Sequence, residues 1–198
     1  MFLQQILNGL TAGSVYALIA LGYTMIYGIL GLINFAQGEL YMAGAFATVL
    51  LLSIYQVNFF VAFLFGMGVA AVLGVILERL AFRPLRGSHP LVPLISAIGA
   101  SIFLQSLALL LFGPADRSFP IQFEFAALEI AGVSVSTLQM AIFGTALFFM
   151  ALLVAFVKYT KFGKAIMATA LDQDTARLMG INVDRMVSLT FLLGSALS

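Results

Sequence analysis

Residues 1–38 read MFLQQILNGLTAGSVYALIALGYTMIYGILGLINFAQG, and no charged side chain occurs before Glu39. As one continuous helix this stretch would extend about 57 Å at 1.5 Å per residue, whereas the hydrocarbon core of a bilayer is ~30 Å thick. A membrane helix of that length must tilt strongly, break or turn. The excess length and the cap-like pair Asn34 and Gln37 near the end of the stretch predict a broken helix near 31–39.

Uncharged runs of similar length recur along the chain. It is 63% hydrophobic and 9% charged, with a mean hydropathy of +1.13, which excludes a water-soluble globular protein. Membrane barrels use short alternating strands, so these runs predict an all-α transmembrane bundle. Its expected spans are roughly Ile6–Ile33, Leu40–Tyr55, Phe59–Leu77, Leu91–Phe112 and Leu138–Val157. A sixth run begins near Met186 and is too short to cross by Ser198, so further C-terminal spans are expected.

The charges between the apolar runs predict the orientation. Loop 78–90 has three arginines against one acid, and loop 158–185 has five cations against three acids. Loop 113–136 instead has one arginine against three acids. One span separates each loop from the next, so the two basic loops share a side. The positive-inside rule then places 78–90 and 158–185 in the cytoplasm and 113–136 outside.

The outer loop alternates apolar and polar residues over 121–125 and again over 133–136, with Gly132 between the two stretches. Alternation with period two around a turn residue is typical of paired strands. We therefore expect a short external β-hairpin near 119–136.

Small residues recur at helical spacing in two spans. Gly9 and Gly13 form a GxxxG pair, and Gly66, Ala70 and Gly74 form a longer stripe. Such stripes let helices approach closely. We expect them to serve packing within the bundle, with a subunit interface as the alternative.

Three polar side chains, Asn34, Gln37 and Glu39, lie between the first two apolar runs. Ionisable groups at membrane depth usually face a cavity and indicate a solute path, and transporters often build that path from interrupted helices. We interpret the three residues as a candidate substrate pathway. A second interpretation stays open, in which Asn34 and Gln37 form a capping box and Glu39 complements the helix dipole.

Residues 163–180 predict a short cytoplasmic helix between two spans. Met167, Leu171 and Leu178 lie on one side of it, and Gly180 is placed to end it. The pattern alone leaves two interpretations open: a helix lying at the membrane interface, or a helix that a soluble motor grips.

Motifs of common enzymes are missing from the sequence. Gly163-Lys164 is followed by Ala165, so no Walker A phosphate loop occurs. There is no cysteine, and the single His89 cannot form a metal site alone. The chain has nine basic and eight acidic residues, so it lacks the excess of positive charge that binds nucleic acid. Neither enzyme activity, a cofactor nor a nucleic-acid partner is expected.

Five ordered motifs carry a resemblance to a known family. They are NGLTAGSVYALIALGYTMIYG at 8–28, GLINFAQGE at 31–39, ERLAFRPLR at 78–86, ISAIGASIFLQ at 95–105 and ALDQDTARLMGINVDR at 170–185. Together they resemble the LivH-type permeases of branched-chain amino-acid ABC importers, over nearly the whole chain. The outer loop differs from the family, on the side where a binding protein would dock.

The resemblance implies a single ABC-permease transmembrane domain over 1–198, in the cell inner membrane, with ATP used by a partner subunit. The implied partners are a second permease subunit, two ABC ATPase subunits and a periplasmic solute-binding protein, besides the lipid bilayer. The resemblance also implies that 163–180 is the coupling helix, contacting the ATPase through Gly163, Ala170, Asp172, Ala176 and Gly180.

The solute implied is a branched-chain or other hydrophobic amino acid. Urea and short-amide permeases of the same family have very similar motifs and are the first alternative. An ion-coupled secondary transporter is an alternative of a different class. The sequence argues against it, because the spans have one buried acid and no paired charges for a proton or sodium relay. A purely structural scaffold subunit would leave the break near 31–39 unexplained.

Overall fold

The computed structural model describes residues 2–114, 127–130 and 133–198. Within these ranges the chain is a helical bundle with one pair of short strands. The long helices are α1 (Phe2–Leu30), α2 (Gln37–Tyr55), α3 (Phe59–Leu77), α4 (Leu91–Phe112) and α5 (Thr137–Tyr159). The shorter helices are α6 (Lys161–Leu171), α7 (Gln173–Leu178) and α8 (Val183–Leu197), and the strands are β1 (Ala127–Ile130) and β2 (Val133–Ser136). A π turn over Glu78–Phe82 and a 3₁₀ turn over Arg83–Leu85 continue α3.

Five helices of the described chain are long and apolar enough to cross a membrane. Their bounds are Gln4–Leu30, Gln37–Tyr55, Phe59–Leu85, Leu91–Phe112 and Gln139–Tyr159. These bounds agree with the predicted spans to within a few residues at most ends. The largest difference is in the third span, where the helix continues past Glu78 through the π and 3₁₀ turns to Leu85. The prediction of a multi-span helical bundle is therefore confirmed.

Helices α2 and α3 form a tight antiparallel pair. The chain reverses at Gln56, which takes the left-handed conformation (φ 46°), and Asn58 caps α3 by accepting from the amide of Phe60 at 3.0 Å. A Cβ at Gly66 would lie 2.7 Å from the carbonyl oxygen of Gly44. Only glycine permits this approach, so the predicted small-residue stripe of α3 serves packing within the bundle.

Helix α8 packs against both α1 and α3 at the centre of the bundle. Gly22 of α1 faces Gly194, where an added Cβ would lie 2.5 Å from the Gly194 carbonyl oxygen. On the other side Gly74 of α3 faces Ser195. The rings of Phe82 and Phe191 meet below these contacts, with centroids 5.3 Å apart, and both are fully buried.

Helix α5 packs against α1, and the strands lie where these two helices begin. The two strands pair antiparallel, with Ala127 opposite Ser136 and Ile130 opposite Val133. They occupy the second half of the predicted 119–136 hairpin, of which 119–126 and 131–132 lie outside the described residues. Gly9 and Gly13 have nothing within 4 Å of an added Cβ, so this GxxxG pair makes no close helix contact in the described chain.

The two basic loops lie at the same end of the bundle, as their spacing predicts. Arg86 from the first loop forms an ion pair with Asp184 from the second. Gln173 of α7 donates a 2.8 Å hydrogen bond to the carbonyl oxygen of Ile29, at the end of α1. These contacts join the ends of α1 and α3 to segment 158–185.

The expected single helix over 163–180 is wrong in detail, because the structure divides it into α6 and α7. Asp172 takes extended backbone angles (φ −158°, ψ 111°) between them. Its side chain accepts from the amides of Asp174 and Thr175, so it ends one helix and caps the next. Gly180 ends α7 as predicted, in the left-handed conformation with φ 82°.

Candidate functional site

The first candidate site surrounds the segment between α1 and α2. Helix α1 closes at Gly31, whose amide donates to the Tyr27 carbonyl oxygen at 2.7 Å and whose positive φ of 67° turns the chain out of the helix. The chain is then non-helical until α2 begins at Gln37. This short segment places the predicted polar residues against two other helices.

Asn34 and Gln37 are both buried and bonded to each other, with 3.2 Å between the Asn34 amide nitrogen and the Gln37 side-chain oxygen. The Asn34 oxygen accepts from the amide of Ala36 at 3.1 Å. The residue at the cap position of α2 is Ala36, and no side chain caps this helix. The capping-box interpretation of Asn34 and Gln37 is therefore wrong, since neither side chain returns to the backbone in that pattern.

The Gln37 side chain instead reaches helix α8. Its amide nitrogen donates to the Gly194 carbonyl oxygen at 3.0 Å and to the Ser198 hydroxyl at 3.2 Å. Gly22 of α1 lies beside the same atoms, eight residues before that helix ends. Eight residues of helix correspond to about 12 Å, so Gln37 sits well inside the bundle rather than at its end.

Glu39 turns the other way, toward α4. Its carboxylate accepts from the Ser101 hydroxyl at 3.0 Å and from the Gln105 amide at 2.7 Å. The structure thus separates the three predicted residues, with Asn34 and Gln37 on the α8 side and Glu39 on the α4 side. Ser101 and Gln105 were not predicted as site residues, although their spacing of four places them on one face of an apolar helix.

Two cavities lie near these polar residues, and Gln105 lines one of them. One of about 250 Å³ lies toward the basic loops and is lined by Gly31, Arg86 and Gln173 among others. Another of about 450 Å³ lies between α2 and α4, toward the opposite end, where Tyr41, Phe46 and Gln105 contribute to its wall. Mostly apolar walls with a few polar groups are typical of small-molecule sites.

The second candidate site is the end of the bundle that carries α6 and α7. Three of the five residues expected to contact an ATPase have structural roles within this chain. Gly163 packs against the backbone of residues 156 and 157, where a side chain has no space. Ala176 is 3% exposed and belongs to the hydrophobic core. Gly180 provides the left-handed turn after α7.

Asp172 also makes its hydrogen bonds locally. One carboxylate oxygen accepts from the Thr175 hydroxyl at 2.5 Å, and the other accepts from two amides of α7. The hydroxyl of Thr175 is the main reason why the pKa of Asp172 lies below its ordinary value, and the amides of Thr175 and Asp174 lower it further. These bonds are local and the carboxylate is exposed, so a contact between Asp172 and a partner stays a prediction.

Ala170 is the remaining predicted contact residue, and it is exposed. Near it the surface is unusually apolar for a segment outside the spans. Leu171, Leu178 and Met179 are 87%, 88% and 79% exposed. Large apolar side chains left open in this way mark an interaction surface.

A buried charge cluster joins α3 to α8 at the same end, and it was not predicted. Glu78 is fully buried and bonds Arg86, while its second oxygen accepts from the Ser188 hydroxyl at 2.7 Å. Arg86 also pairs with Asp184, which pairs with Arg83 at 3.1 Å. The feature of the sequence that could have indicated this cluster is the single acid among the three arginines of loop 78–90. No group of His, Cys, Asp and Glu side chains that could hold a metal ion occurs within the described ranges.

Comparisons with known proteins agree with this architecture. Residues 5–198 match the family described as branched-chain amino acid transport system / permease component. Over 209 residues the chain is 42% identical to the high-affinity branched-chain amino acid transport system permease protein BraD of Pseudomonas aeruginosa and 41% identical to LivH of Escherichia coli. LivH of Salmonella typhimurium is 42% identical. Each alignment covers all of this chain and 68% of the relative. No solved structure matches significantly.

The family match covers almost every residue, including both candidate sites, and the described chain has five membrane-length helices. The protein is a multi-pass membrane protein and a transport subunit rather than an enzyme. The chain belongs to the family of branched-chain amino acid transport system permease components.

Proposed function

We propose that this chain is the membrane permease subunit of an ATP-driven importer in the cell inner membrane, and that it moves branched-chain or other hydrophobic amino acids. The observation that carries this proposal is the polar cluster of Glu39, Ser101 and Gln105 between α2 and α4, beside the largely apolar cavity of about 450 Å³ that Gln105 also lines. The relatives BraD and LivH, which are named as branched-chain amino acid transport permeases, support the choice of solute.

The chemistry of the cluster suits a zwitterionic solute with an aliphatic side chain. The carboxylate of Glu39 would attract the ammonium group of an amino acid, and the positive N-terminus of α2 would attract its carboxylate. The apolar wall of the 450 Å³ cavity would receive the side chain. Urea or a short amide has no such side chain, so the apolar wall favours the amino acid.

The partners proposed are a second permease subunit, two ABC ATPase subunits and a periplasmic solute-binding protein. The exposed residues Leu171, Leu178 and Met179 offer an apolar surface at the end of the bundle that carries both basic loops. Helices α6 and α7 connect that surface to α1 through the hydrogen bond from Gln173 to Ile29. Motion of an ATPase bound there would reach the span that precedes the Asn34–Glu39 segment.

The sidedness proposed is cytoplasmic for loops 78–90 and 158–185 and external for loop 113–136, with the hairpin outside. Single cysteines at Ser88, Leu178 and Ser118 test it, because the chain has no cysteine of its own. Leu178 is 88% exposed, so a thiol reagent can reach a cysteine placed there. An impermeant thiol reagent on intact cells should label position 118 only. Labelling at 88 or 178 before lysis contradicts this orientation.

The transport proposal is tested with the complete complex, produced from the neighbouring genes and reconstituted in lipid vesicles. Uptake of labelled leucine should require ATP and the binding protein, and excess isoleucine or valine should compete while urea and acetamide should not. Competition by urea or acetamide alone identifies the amide-permease alternative. Uptake that follows a proton or sodium gradient without ATP identifies an ion-coupled transporter.

A further inference from the structure

An open groove runs along the outside of the bundle between the ends of α3 and α8, at the end that carries the basic loops. It encloses about 460 Å³. Its upper wall is apolar and consists of Val75, Leu189 and Leu192, with Leu192 38% exposed. Its lower end is lined by polar and charged residues, among them Arg79, Arg83 and Arg185. The groove is therefore amphiphilic along its length.

The charges of this groove are not balanced within the chain. Asp184 is its one acid, and it is already paired with Arg83 and Arg86. Arg79 and Arg185 are exposed and form no ion pair with any described residue. Two guanidinium groups at one end of a groove are left to bind an anion, and guanidinium is well suited to phosphate.

The depth of the groove limits the kind of anion. Arg79 and Arg83 lie in the last turns of the span Phe59–Leu85, where the helix leaves the hydrocarbon core, and Val75 lies one turn deeper. A ligand that fills the whole groove needs a charged group at the membrane surface and an apolar chain reaching inward. Basic pockets between membrane helices on this side are known to suit anionic lipid head groups.

We propose that this groove is a binding site for one anionic phospholipid. Its phosphate lies between Arg79 and Arg185, and an acyl chain lies along Val75 and Leu192. The lipid would contact both α3 and α8 from outside, across the interface that Glu78 and Ser188 join from within. The site does not depend on which solute the permease carries.

The test uses the full chain purified in detergent and native mass spectrometry with added dioleoyl phosphatidylglycerol or dioleoyl phosphatidylcholine. Wild type should bind phosphatidylglycerol more tightly, and salt should reduce the difference. A double Arg79→Gln and Arg185→Gln variant should lose about 25-fold in phosphatidylglycerol affinity, about fivefold per arginine, with phosphatidylcholine binding unchanged. Glycerol phosphate, which has the phosphate without the acyl chains, should not displace the lipid at equal concentration.

The matched control is a double Lys161→Gln and Lys164→Gln variant, which removes two exposed charges at the same end of the bundle. It should keep the wild-type preference. Equal binding of the two lipids by wild type overturns the proposal, and so does an equal loss of phosphatidylglycerol affinity in the lysine variant.

A second experiment crosslinks a photoreactive phosphatidylglycerol to the wild-type protein and therefore needs no variant. Its crosslinks should map to 75–83 and 183–192, and crosslinks confined to 158–164 overturn the assignment.

Discussion

The side-chain amide of Gln37 donates a 3.0 Å hydrogen bond to the carbonyl oxygen of Gly194, 157 residues later in the chain. This bond fixes the first turn of α2 against α8. A Cβ built on Gly22 of α1 would lie 3.3 Å from the same amide nitrogen. Three helices therefore meet at one polar contact inside the bundle. The stability of the segment between α1 and α2 depends on how closely these three helices approach one another.

Gly22→Ala should destabilise the protein by about 1–3 kcal/mol, because the new methyl group would lie 2.5 Å from the Gly194 carbonyl oxygen and must push α1 from α8. Gly28→Ala is the matched control in the same helix, where an added Cβ has open space. It should be neutral or raise stability by about 0.5–1 kcal/mol. Thermal unfolding of the purified variants measures both. Equal midpoints would show that α1 and α8 are not in close contact here.

Glu39→Gln should remove the charge of this side chain while keeping its hydrogen bonds to α4. The glutamine retains an oxygen that can accept from Ser101 and Gln105, so membrane insertion and thermal stability should stay near wild type. Loss of the charge weakens an interaction with the solute ammonium by about 1.4 kcal/mol, so leucine uptake should fall about tenfold. Uptake at the wild-type rate would leave Glu39 with a structural role only.

Ala176→Glu and Ala170→Glu should fail in different ways. Ala176 is buried in the core, so a glutamate there should destabilise the protein by more than about 2 kcal/mol before any partner is added. Ala170 is exposed, so its glutamate should change stability by less than about 0.5 kcal/mol while weakening binding of the ATPase. Unfolding midpoints and co-purification of the ATPase measure the two effects. Normal ATPase binding by the Ala170 variant would remove α6 from the proposed contact surface.

Acid should release helix α7 through Asp172. The pKa of this carboxyl is lowered in the folded chain, mainly by the Thr175 hydroxyl, so its cap stabilises α7 above the ordinary pKa of about 4. The stabilisation is lost as the pH falls through the lowered pKa. Hydrogen-exchange protection of residues 173–178, corrected for intrinsic rates, should therefore drop at the acidic end. In Asp172→Asn it should not depend on pH, and a similar drop in that variant would exclude Asp172 as the cause.

The spans could be predicted from the sequence because their signal is local. An uncharged run about 20 residues long has to cross a bilayer as a helix, and most spans end within a few residues of the end of their apolar run. Which helices meet is not a local property. Nothing in the periodicity of α2 indicates that Gln37 forms a hydrogen bond with Gly194, or that Glu39 forms one with Ser101 on α4.

The cytoplasmic segment shows the same limit at shorter range. Its residues all suit a helix, so 163–180 was predicted as a single helix with Ala176 on its contact surface. The structure breaks it at Asp172, a residue that often caps helices, and Thr175 three positions later holds the carboxylate in place. Whether Ala176 faces the bundle or a partner depends on the turn at that break, and the sequence pattern does not specify this.

Glu78 has a consequence for how the protein is made. Its carboxylate is fully buried within the third span, and one of its partners, Ser188, lies 110 residues further along the chain. During synthesis α3 enters the membrane long before Ser188 or Asp184 has been translated. Of the partners that Glu78 has in the structure, Arg86, eight residues away, is the one already present at that point. The local ion pair can therefore form as soon as this end of the third span has been made, and the arrival of α8 adds the Ser188 hydrogen bond and brings Asp184 to Arg86.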